Sequence, residues 1–479
     1  MLFNSIEFLV FFPLVLIGYF SMPHKYRWIF LLLASYYFYM SWKAEYLILI
    51  LVSTGIDYFA ALRMSAVSEK SKKKKYLFMS LLSNLGILFG FKYFNFFSDS
   101  LRAVFDQFNI FYDVPAFDVL LPVGISFYTF QTLSYSIDVY RGDKEPEKHL
   151  GKFALYVAFF PQLVAGPIER STRLMPQLHL NYKFEYDRVV DGLRLMLWGF
   201  FKKIVIADRL AHYVNLVYNN PDDYFGLQVI IATIFFAFQI FCDFSGYSDI
   251  AIGTAKVLGI DLMENFKKPY FAKSIAEFWK RWHISLSTWF KDYLYIPLGG
   301  NRVVKWRWYY NLFITFLVSG LWHGANWTFV IWGGLHGFYL IFSIVSQKQR
   351  EKIIDFLKLK SYPFILKSIR VFTVFVLVGF SWIFFRANNV GDAFTLIGNL
   401  FVIDSSNLLN NSIGLSSLIV NFGVIGIMEV FHLLQRGTKF SSYISARPTM
   451  IRWSVYFFIT ICILYLGGQG GKQFIYFQF

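Results

Sequence analysis

The segment SGLWHGANWTFVIWGGLHG, Ser319 to Gly337, places two histidines within an apolar run that is rich in tryptophan. Such a run is expected inside a lipid bilayer, where an imidazole is costly to bury and therefore marks a candidate functional site. Five glycines in the same stretch allow two helices to approach closely. The segment therefore predicts a helical hairpin in a membrane, with a histidine that is available for chemistry.

The composition of the whole chain agrees with a membrane environment. Of 479 residues, 56% are hydrophobic, 21% are aromatic and only 16% are charged. This composition is typical of a polytopic membrane protein, and we predict an all-α fold of about 11–13 membrane helices, some of them re-entrant or interfacial. We expect one integral membrane domain over residues 1–479, since the sequence shows no linker and no soluble domain.

The formal net charge of +16 could suggest a nucleic-acid partner. The basic residues, however, lie in short loops between apolar spans, so we expect no nucleic acid to bind. The charge instead directs membrane topology and attracts the anionic lipids of the inner leaflet. Cys242 and Cys462 both lie in apolar segments without partners at ligand spacing, so we predict two small core residues and no metal site.

Apolar runs of about 20 residues predict thirteen candidate spans. These lie near residues 6–22, 27–42, 44–63, 76–97, 119–140, 153–168, 190–218, 226–260, 309–325, 327–347, 369–386, 412–434 and 452–468. Residues 153–168 are expected to be re-entrant, because Phe160 and Pro161 interrupt a short run. The sidedness of the chain between residues 153 and 260 stays open.

The distribution of lysine and arginine predicts the orientation of the chain. Loops 63–75 and 141–152 are rich in these residues, whereas loop 98–118 is acidic. The positive-inside rule therefore places the two basic loops in the cytoplasm and the N-terminus outside. Segment 261–308, with nine Lys or Arg residues, is also predicted to be cytoplasmic. The hairpin 309–347 then enters from the cytoplasmic side and returns.

A third histidine lies upstream of the hairpin, in FWKRWHISLSTWFKDYLYIPLGGNR, Phe278 to Arg302. The spacing predicts an amphipathic helix over residues 278–294, with an aromatic face directed inward and His283 within that face. The helix would lie at the cytoplasmic interface. His283 is a candidate for catalysis, and the alternative is a structural histidine that bonds to a backbone carbonyl.

His323 ends the first arm of the hairpin. A neutral imidazole in a low-dielectric tunnel suits a general base that takes a proton from a hydroxyl attacking an acyl carbonyl. A structural role remains equally open from its position alone. His336, on the second arm, is expected to be a core residue.

Two aspartates lie in a further apolar span, FQIFCDFSGYSDIAIG, Phe238 to Gly253. Asp243 and Asp249 are six residues apart and do not share a helix face, so they are a poor pair of catalytic carboxylates. We expect each to have a separate partner. Ion pairing or hydrogen bonding that holds the helices together is favoured over a proton relay or a substrate contact.

Several ordered blocks of this chain resemble one known family. RWHISLSTWFKDYLYIPLGGNR, LVSGLWHGANWTFVIWGGLHG, QIFCDFSGYSDIAIG and the terminal FIYFQF are similar to the membrane-bound O-acyltransferase (MBOAT) superfamily, in its bacterial alginate O-acetyltransferase-like branch. The resemblance covers nearly the whole chain and is most specific over residues 240–340. It implies a ring of membrane helices, thinned at the centre, with funnels from both faces meeting at a catalytic histidine. That residue maps onto His323, and the second family histidine maps onto His283.

The resemblance also implies a function. Members of this branch relay an acetyl group from a cytoplasmic donor, with acetyl-CoA expected, for O-acetylation of alginate, another exopolysaccharide or peptidoglycan outside the cell. It implies a bacterial inner-membrane location, an extracytoplasmic SGNH-type acetyltransferase partner and no tightly bound cofactor. Whether an acetyl-enzyme forms on His323 stays open. The substrate-binding candidates are Trp322, Asn326, Trp282, Lys280, Arg281 and Asp243.

Two functions from other classes remain as alternatives. A transporter or flippase for a polysaccharide or lipid-linked precursor could use the histidines as a proton relay. Internal repeats would favour a transporter, and the two halves of the sequence show no evident similarity. An inert scaffold for a polysaccharide synthase would not need the histidines.

Overall fold

The computed structural model describes residues 1–112, 114–115, 122–164, 166–402, 414–435, 437–467 and 474–475. Within these ranges every regular element is helical, which confirms the predicted all-α class. Asp113 and Asp118 of the acidic loop, and residues 476–479 of the terminal FIYFQF, lie outside the described residues.

The α-helices are, in chain order, α1 Ile6–Ser21, α2 His24–Met40, α3 Leu47–Ala66, α4 Lys70–Leu88, α5 Phe94–Gln107, α6 Ile125–Arg141, α7 Leu150–Ala158, α8 Phe160–Leu163, α9 Ser171–Leu178, α10 Tyr186–Phe200, α11 Asp208–Tyr218, α12 Leu227–Val257, α13 Ile275–Trp279, α14 Ile284–Phe290, α15 Lys305–His323, α16 Trp327–Val345, α17 Gln347–Phe356, α18 Pro363–Arg386, α19 Val390–Asn399, α20 Leu415–Leu434, α21 Phe440–Ser445 and α22 Thr449–Leu466. Turns of π-helix extend α4, α10 and α14 over Phe89–Tyr93, Phe201–Ala207 and Lys291–Tyr295.

Seven helical segments of the described chain are long and apolar enough to cross a membrane. They are Ala44–Ala66, Lys70–Gln107, Leu227–Val257, Trp327–Val345, Pro363–Arg386, Leu415–Leu434 and Thr449–Leu466. Other predicted spans form shorter helices, since α1 has 16 residues and α2 and α6 have 17 each. Thirteen apolar runs therefore do not correspond to thirteen helices of full bilayer length.

The residues group into two compact units. The first unit comprises Met1–Leu197 and Tyr247–Met263, and the second comprises Trp198–Gly246 and Glu264–Phe479. The single integral membrane domain expected for residues 1–479 stays a prediction.

In the first unit, a buried carboxylate joins helices α3, α4 and α6. Asp57 on α3 is 0% exposed, and the side-chain amide of Asn84 on α4 donates to both of its oxygens, at 3.0 and 2.9 Å. The hydroxyls of Ser80 on α4 and Ser136 on α6 also donate to Asp57. These hydrogen bonds offset the desolvation of the carboxylate, and a polar centre of this kind fixes how the three helices align.

The same unit contains the predicted re-entrant segment. Helices α7 and α8 have nine and four residues, which is too short to cross a bilayer. The amine of Lys152 lies 2.8 Å from Nδ1 of His179, and Nε2 of His179 lies 3.0 Å from the carboxylate of Glu147. These contacts bring residue 179, after α9, back beside loop 141–152 and the start of α7; that the segment is re-entrant in a bilayer stays a prediction.

In the second unit, α15 and α16 form the hairpin predicted for residues 309–347. A Cβ atom at Gly320 would lie 2.2 Å from the carbonyl oxygen of Phe329, and one at Gly333 would lie 2.3 Å from that of Phe316. Only glycine fits at both positions, because any side chain would overlap the backbone of the opposite helix. This close packing fixes the end of α15, where His323 lies.

Candidate active site

His323, the last residue of α15, lies in a chamber of aromatic rings. Its side chain is buried, with 6% exposure. The ring of Trp332, on α16, meets the imidazole edge to face at 5.0 Å between centroids, and that of Phe385, on α18, does so at 5.5 Å. Aromatic walls on two sides hold the imidazole in one orientation and keep the surroundings apolar.

The prediction of one continuous amphipathic helix over residues 278–294 is wrong. Helix α13 ends at Trp279, a turn follows, and α14 begins at Ile284, with His283 in the left-handed conformation at φ 41° and ψ 55°. Asn265 holds this turn, because its carbonyl accepts the N–H of Ile284 at 2.9 Å and its side chain accepts the hydroxyl of Ser285 at 2.6 Å. The break is therefore set by a tertiary contact.

The aromatic face predicted for this segment nevertheless points inward. Six of its members are buried, namely Trp279, Trp282, His283, Leu286, Trp289 and Phe290. Trp282 packs against Trp382 and Phe266, each at 5.1 Å between ring centroids. It lies next to His283 in the chain, and its contact with substrate stays a prediction.

The turn brings His283 close to His323. The two imidazole centroids are 6.4 Å apart, and the ring of Phe244 meets His283 edge to face at 4.5 Å. His283 is 2% exposed and lies outside the seven spans. Burial, and to a smaller extent the neighbouring His323, hold the pKa of His283 well below its usual range. His283 is therefore neutral near pH 7 and can offer one donor and one acceptor.

His336 has a structural role, in agreement with the sequence prediction. The indole N–H of Trp279 donates to its Nδ1 at 3.3 Å, and its Nε2 lies 2.9 Å from the hydroxyl of Ser381. The Ser381 hydroxyl in turn donates to the carbonyl of Val378 at 2.8 Å. This pattern assigns the ring proton to Nε2 and ties α13, α16 and α18 together.

Asn326 and Trp322 flank His323 in the chain. Asn326 caps α16, since its side-chain oxygen accepts the N–H of Thr328 at 3.0 Å and its amide donates to the carbonyl of Asn388 at 3.0 Å. These bonds fix the turn of the hairpin. Trp322 is half-buried on the last turn of α15. Substrate contacts by either residue stay predictions.

Asp243 forms the ion pair that the sequence analysis favoured. Its carboxylate lies 2.7 Å from the amine of Lys203, which lies 2.8 Å from the carboxylate of Asp208. The other oxygen of Asp243 accepts the backbone N–H of Ile475 at 2.8 Å. These contacts give Asp243 a structural role, while its predicted contact with substrate stays untested.

Two buried cations near Asp243 were not predicted from the sequence. Lys202 and Lys203 lie within the apolar stretch WGFFKKIVIADRL, residues 198–210, and both are buried. The amine of Lys202 donates to the hydroxyl of Ser245 at 3.0 Å. Lysines inside an apolar run are the signal that could have identified them, because such residues are paired at membrane depth.

A contact of the C-terminal segment was also missed. Phe474 packs against Phe244 at 5.5 Å between ring centroids, and Phe244 in turn contacts His283. No spacing in the sequence indicates this contact, since more than two hundred residues separate the two phenylalanines.

Arg281 and Lys280, which are predicted to bind the acetyl donor, differ in their surroundings. The guanidinium of Arg281 donates to the carboxylate of Glu277 at 2.6 Å, so part of its charge is compensated. Lys280 is exposed. Both assignments stay predictions, and Lys280 is the better placed of the two for a soluble, anionic ligand.

Comparison with known proteins then decides the family. Residues 147–385 match the membrane-bound O-acyltransferase (MBOAT) family, and this range contains His283, His323 and the rings that surround them. The chain belongs to that family. As an MBOAT protein it is an O-acyltransferase and a multi-pass membrane protein, as the sequence analysis predicted.

Relatives that match this MBOAT protein over its full length fall on the predicted branch. The chain is 35% identical to the probable alginate O-acetylase of Azotobacter vinelandii and 37% identical to that of Pseudomonas putida, with all of each chain covered. It is also 33% identical to the peptidoglycan O-acetyltransferase of Helicobacter pylori, over 86% of this chain and 82% of that protein.

Proposed function

We propose that the protein transfers an acetyl group from cytoplasmic acetyl-CoA to a hydroxyl destined for an extracytoplasmic polysaccharide, such as alginate or another exopolysaccharide. The observation that carries the proposal is the pair of buried imidazoles, His283 and His323, 6.4 Å apart within a chamber of aromatic rings. The full-length similarity to two probable alginate O-acetylases supports the acetyl group and the class of polysaccharide.

The transfer reaction needs one general base and one hydrogen-bond donor to the carbonyl oxygen. His323 takes the proton of the acceptor hydroxyl, the oxygen attacks the acetyl carbonyl, the C–S bond breaks, and the departing thiolate receives the proton from His323. An N–H of neutral His283 stabilises the charge that develops on the carbonyl oxygen, a contribution of roughly 3 kcal/mol. Two imidazoles at this separation can both reach one small reacting group.

A relay across the membrane fits the charges of the substrates. The phosphates of CoA cannot cross about 30 Å of hydrocarbon, whereas the thioester carbonyl can reach a buried site from the cytoplasmic side. Segment 261–308 carries nine basic residues and would attract those phosphates. We further propose that the protein resides in a bacterial inner membrane and that an SGNH-type acetyltransferase outside delivers the acetyl group to the polymer.

Peptidoglycan is the second candidate acceptor. The peptidoglycan O-acetyltransferase of Helicobacter pylori is 33% identical to this chain over most of both lengths. Both polymers present sugar hydroxyls, so His323 as the base and His283 as the hydrogen-bond donor would serve either acceptor. Comparing acetyl release from the two polymers in a strain with and without the gene distinguishes them.

The decisive experiment uses purified protein in vesicles supplied with acetyl-CoA that carries a radiolabelled acetyl group. We expect His323→Ala to lower acetyl transfer or thioester hydrolysis by about 10²–10⁴-fold, because a general base contributes this much. His212→Ala, at an exposed position on α11, is the matched control and should retain activity. A folded His323→Ala protein with normal transfer would refute the proposal.

The same vesicles test the competing functions and the order of steps. Gradient-coupled movement of a glycan or lipid precursor without loss of the acetyl group would favour a transporter, and absence of acetyl transfer by the wild-type protein would favour a scaffold. Label that remains on denatured wild-type protein but not on His323→Ala would show that an acetyl-enzyme precedes transfer to the acceptor.

A further inference from the structure

The first unit contains an open cavity whose polar side chains are basic. The cavity has a volume of about 390 Å³, and its lining includes His24, Lys25, Arg27, Trp28, His149 and Lys152. Three of these side chains are permanently cationic, and two more are histidines. None of the described residues that line the cavity is acidic. A cavity of this composition attracts an anion.

The hydrogen bonds of Arg27 and Lys152 are made to neutral groups. Arg27 donates to the carbonyl oxygens of Met22, at 3.0 Å, and Tyr182, at 2.5 Å, and its guanidinium lies 4.9 Å from the ring centroid of Tyr19. These neutral partners hold the guanidinium in place without neutralising it. Arg27 is therefore fixed at the cavity as a positive charge.

Lys152 also bonds to a neutral group. Its amine lies 2.8 Å from Nδ1 of His179, which must accept, so the proton of that ring lies on Nε2. Nε2 of His179 in turn donates to Glu147, at 3.0 Å. The carboxylate of Glu147 thus hydrogen-bonds to the histidine and not to Lys152, so it compensates the charge of that lysine only in part.

A helix begins at the same place. Helix α2 has 17 residues and starts at His24, and no side chain caps its N-terminus because the preceding residue is Pro23. Its first four residues, 24–27, all line the cavity. The positive end of the helix dipole therefore adds to the field of the side chains, an arrangement that favours phosphate.

The predicted position of the cavity indicates which phosphate-bearing ligand it binds. Loop 141–152 is predicted to be cytoplasmic, and so is the connection between α1 and α2 when the N-terminus lies outside. The lining also includes Trp28, Tyr19 and Tyr26, and tryptophan and tyrosine are enriched at the headgroup level of bilayers. We propose that this cavity binds the phosphate headgroup of an anionic phospholipid from the cytoplasmic leaflet.

The test is binding of phosphatidylglycerol to the purified full-length protein, measured by native mass spectrometry in a neutral detergent, with phosphatidylcholine as the neutral reference. We expect the double variant Lys25→Gln, Lys152→Gln to bind phosphatidylglycerol about 10- to 30-fold more weakly. The control Lys74→Gln, Lys75→Gln removes the same charge from loop 63–75, outside the cavity, and should change binding less than about two-fold.

The single variant Lys25→Gln guards against misfolding, because it leaves the bond between Lys152 and His179 intact, and it should weaken binding about five-fold. Equal binding of phosphatidylcholine, or equal loss in both double variants, would overturn the proposal. Competition with inorganic phosphate and with CoA tests whether the cavity binds soluble phosphates and not a lipid headgroup. If either displaces phosphatidylglycerol from wild-type protein at equal concentration, the site takes soluble phosphates and the lipid assignment is refuted.

Discussion

Replacing Lys203 with methionine is expected to destabilise the protein more than replacing Asp243 with asparagine. The Lys203 side chain is 1% exposed, and its amine lies 2.8 Å from Asp208 and 2.7 Å from Asp243. Lys203→Met removes the ammonium that lies between two buried carboxylates. Asp243→Asn leaves Lys203 paired with Asp208 and keeps an oxygen that can accept the N–H of Ile475.

The magnitudes follow from these contacts. Removing one partner of a buried ion pair costs roughly 3–5 kcal/mol, and Lys203→Met should reach the upper end because two carboxylates lose the same cation. Asp243→Asn gives up one charge-assisted hydrogen bond, a loss of roughly 1.5–3 kcal/mol. The stability of the two variants should therefore differ by roughly 2 kcal/mol or more.

The assay is thermal unfolding of detergent-purified protein, followed by size-exclusion chromatography, together with acetyl transfer per folded molecule. Asp222→Asn, at an exposed position, is the control for loss of one carboxylate and should unfold like wild type. Equal destabilisation by Lys203→Met and Asp243→Asn would refute the inference that Lys203 stabilises both Asp208 and Asp243. Wild-type stability of Asp243→Asn with transfer reduced more than tenfold would show instead that Asp243 contacts the substrate.

Three further outcomes are expected. His283→Ala should lower transfer from labelled acetyl-CoA by roughly 10²-fold, whereas His283→Asn should retain more of it through its amide N–H; equal loss in both, with lower melting temperatures, would indicate a structural histidine. Burial raises the pKa of Glu169 from 4.5 to about 7, against the opposing charge of Arg173. The resulting stabilisation, roughly 3 kcal/mol, is present below pH 4.5 and is lost as the pH rises through 7, so Glu169→Gln should flatten the decline in melting temperature between pH 5 and 8. Parallel curves for the two proteins would contradict this. In a background without native cysteines, an impermeant thiol reagent applied to intact cells should label Asp106→Cys and spare Asn301→Cys; the reverse pattern would invert the topology.

The hairpin and His323 could be predicted because their signals are local. Apolarity over the length of a helix, glycines at the helix contact and a histidine at the end of the first arm all lie within residues 309–347. The inward aromatic face of residues 279–290 was also predictable, since burial follows the apolar side chains even where the backbone is not a continuous helix.

The partners of the buried charges could not be predicted. The sequence indicated that Asp243 needs a partner, because a lone carboxylate is costly in an apolar helix. It did not indicate Lys203, forty residues earlier, or the N–H of Ile475, which is far later in the chain. Pairings at such separations depend on how helices pack, and neither periodicity nor local propensity contains that information.

The turn at His283 shows why the candidate site is less predictable than the fold. The segment RWHIS contains neither glycine nor proline, so local rules favour a continuous helix. The left-handed conformation of His283 costs roughly 1–3 kcal/mol, and bonds from Ile284 and Ser285 to Asn265 stabilise the turn. A continuous helix would satisfy these backbone groups locally and would require no such strain. The strained residue is the one whose imidazole lies 6.4 Å from His323, and strain that tertiary contacts hold in place clusters at functional sites, a pattern that local rules do not contain.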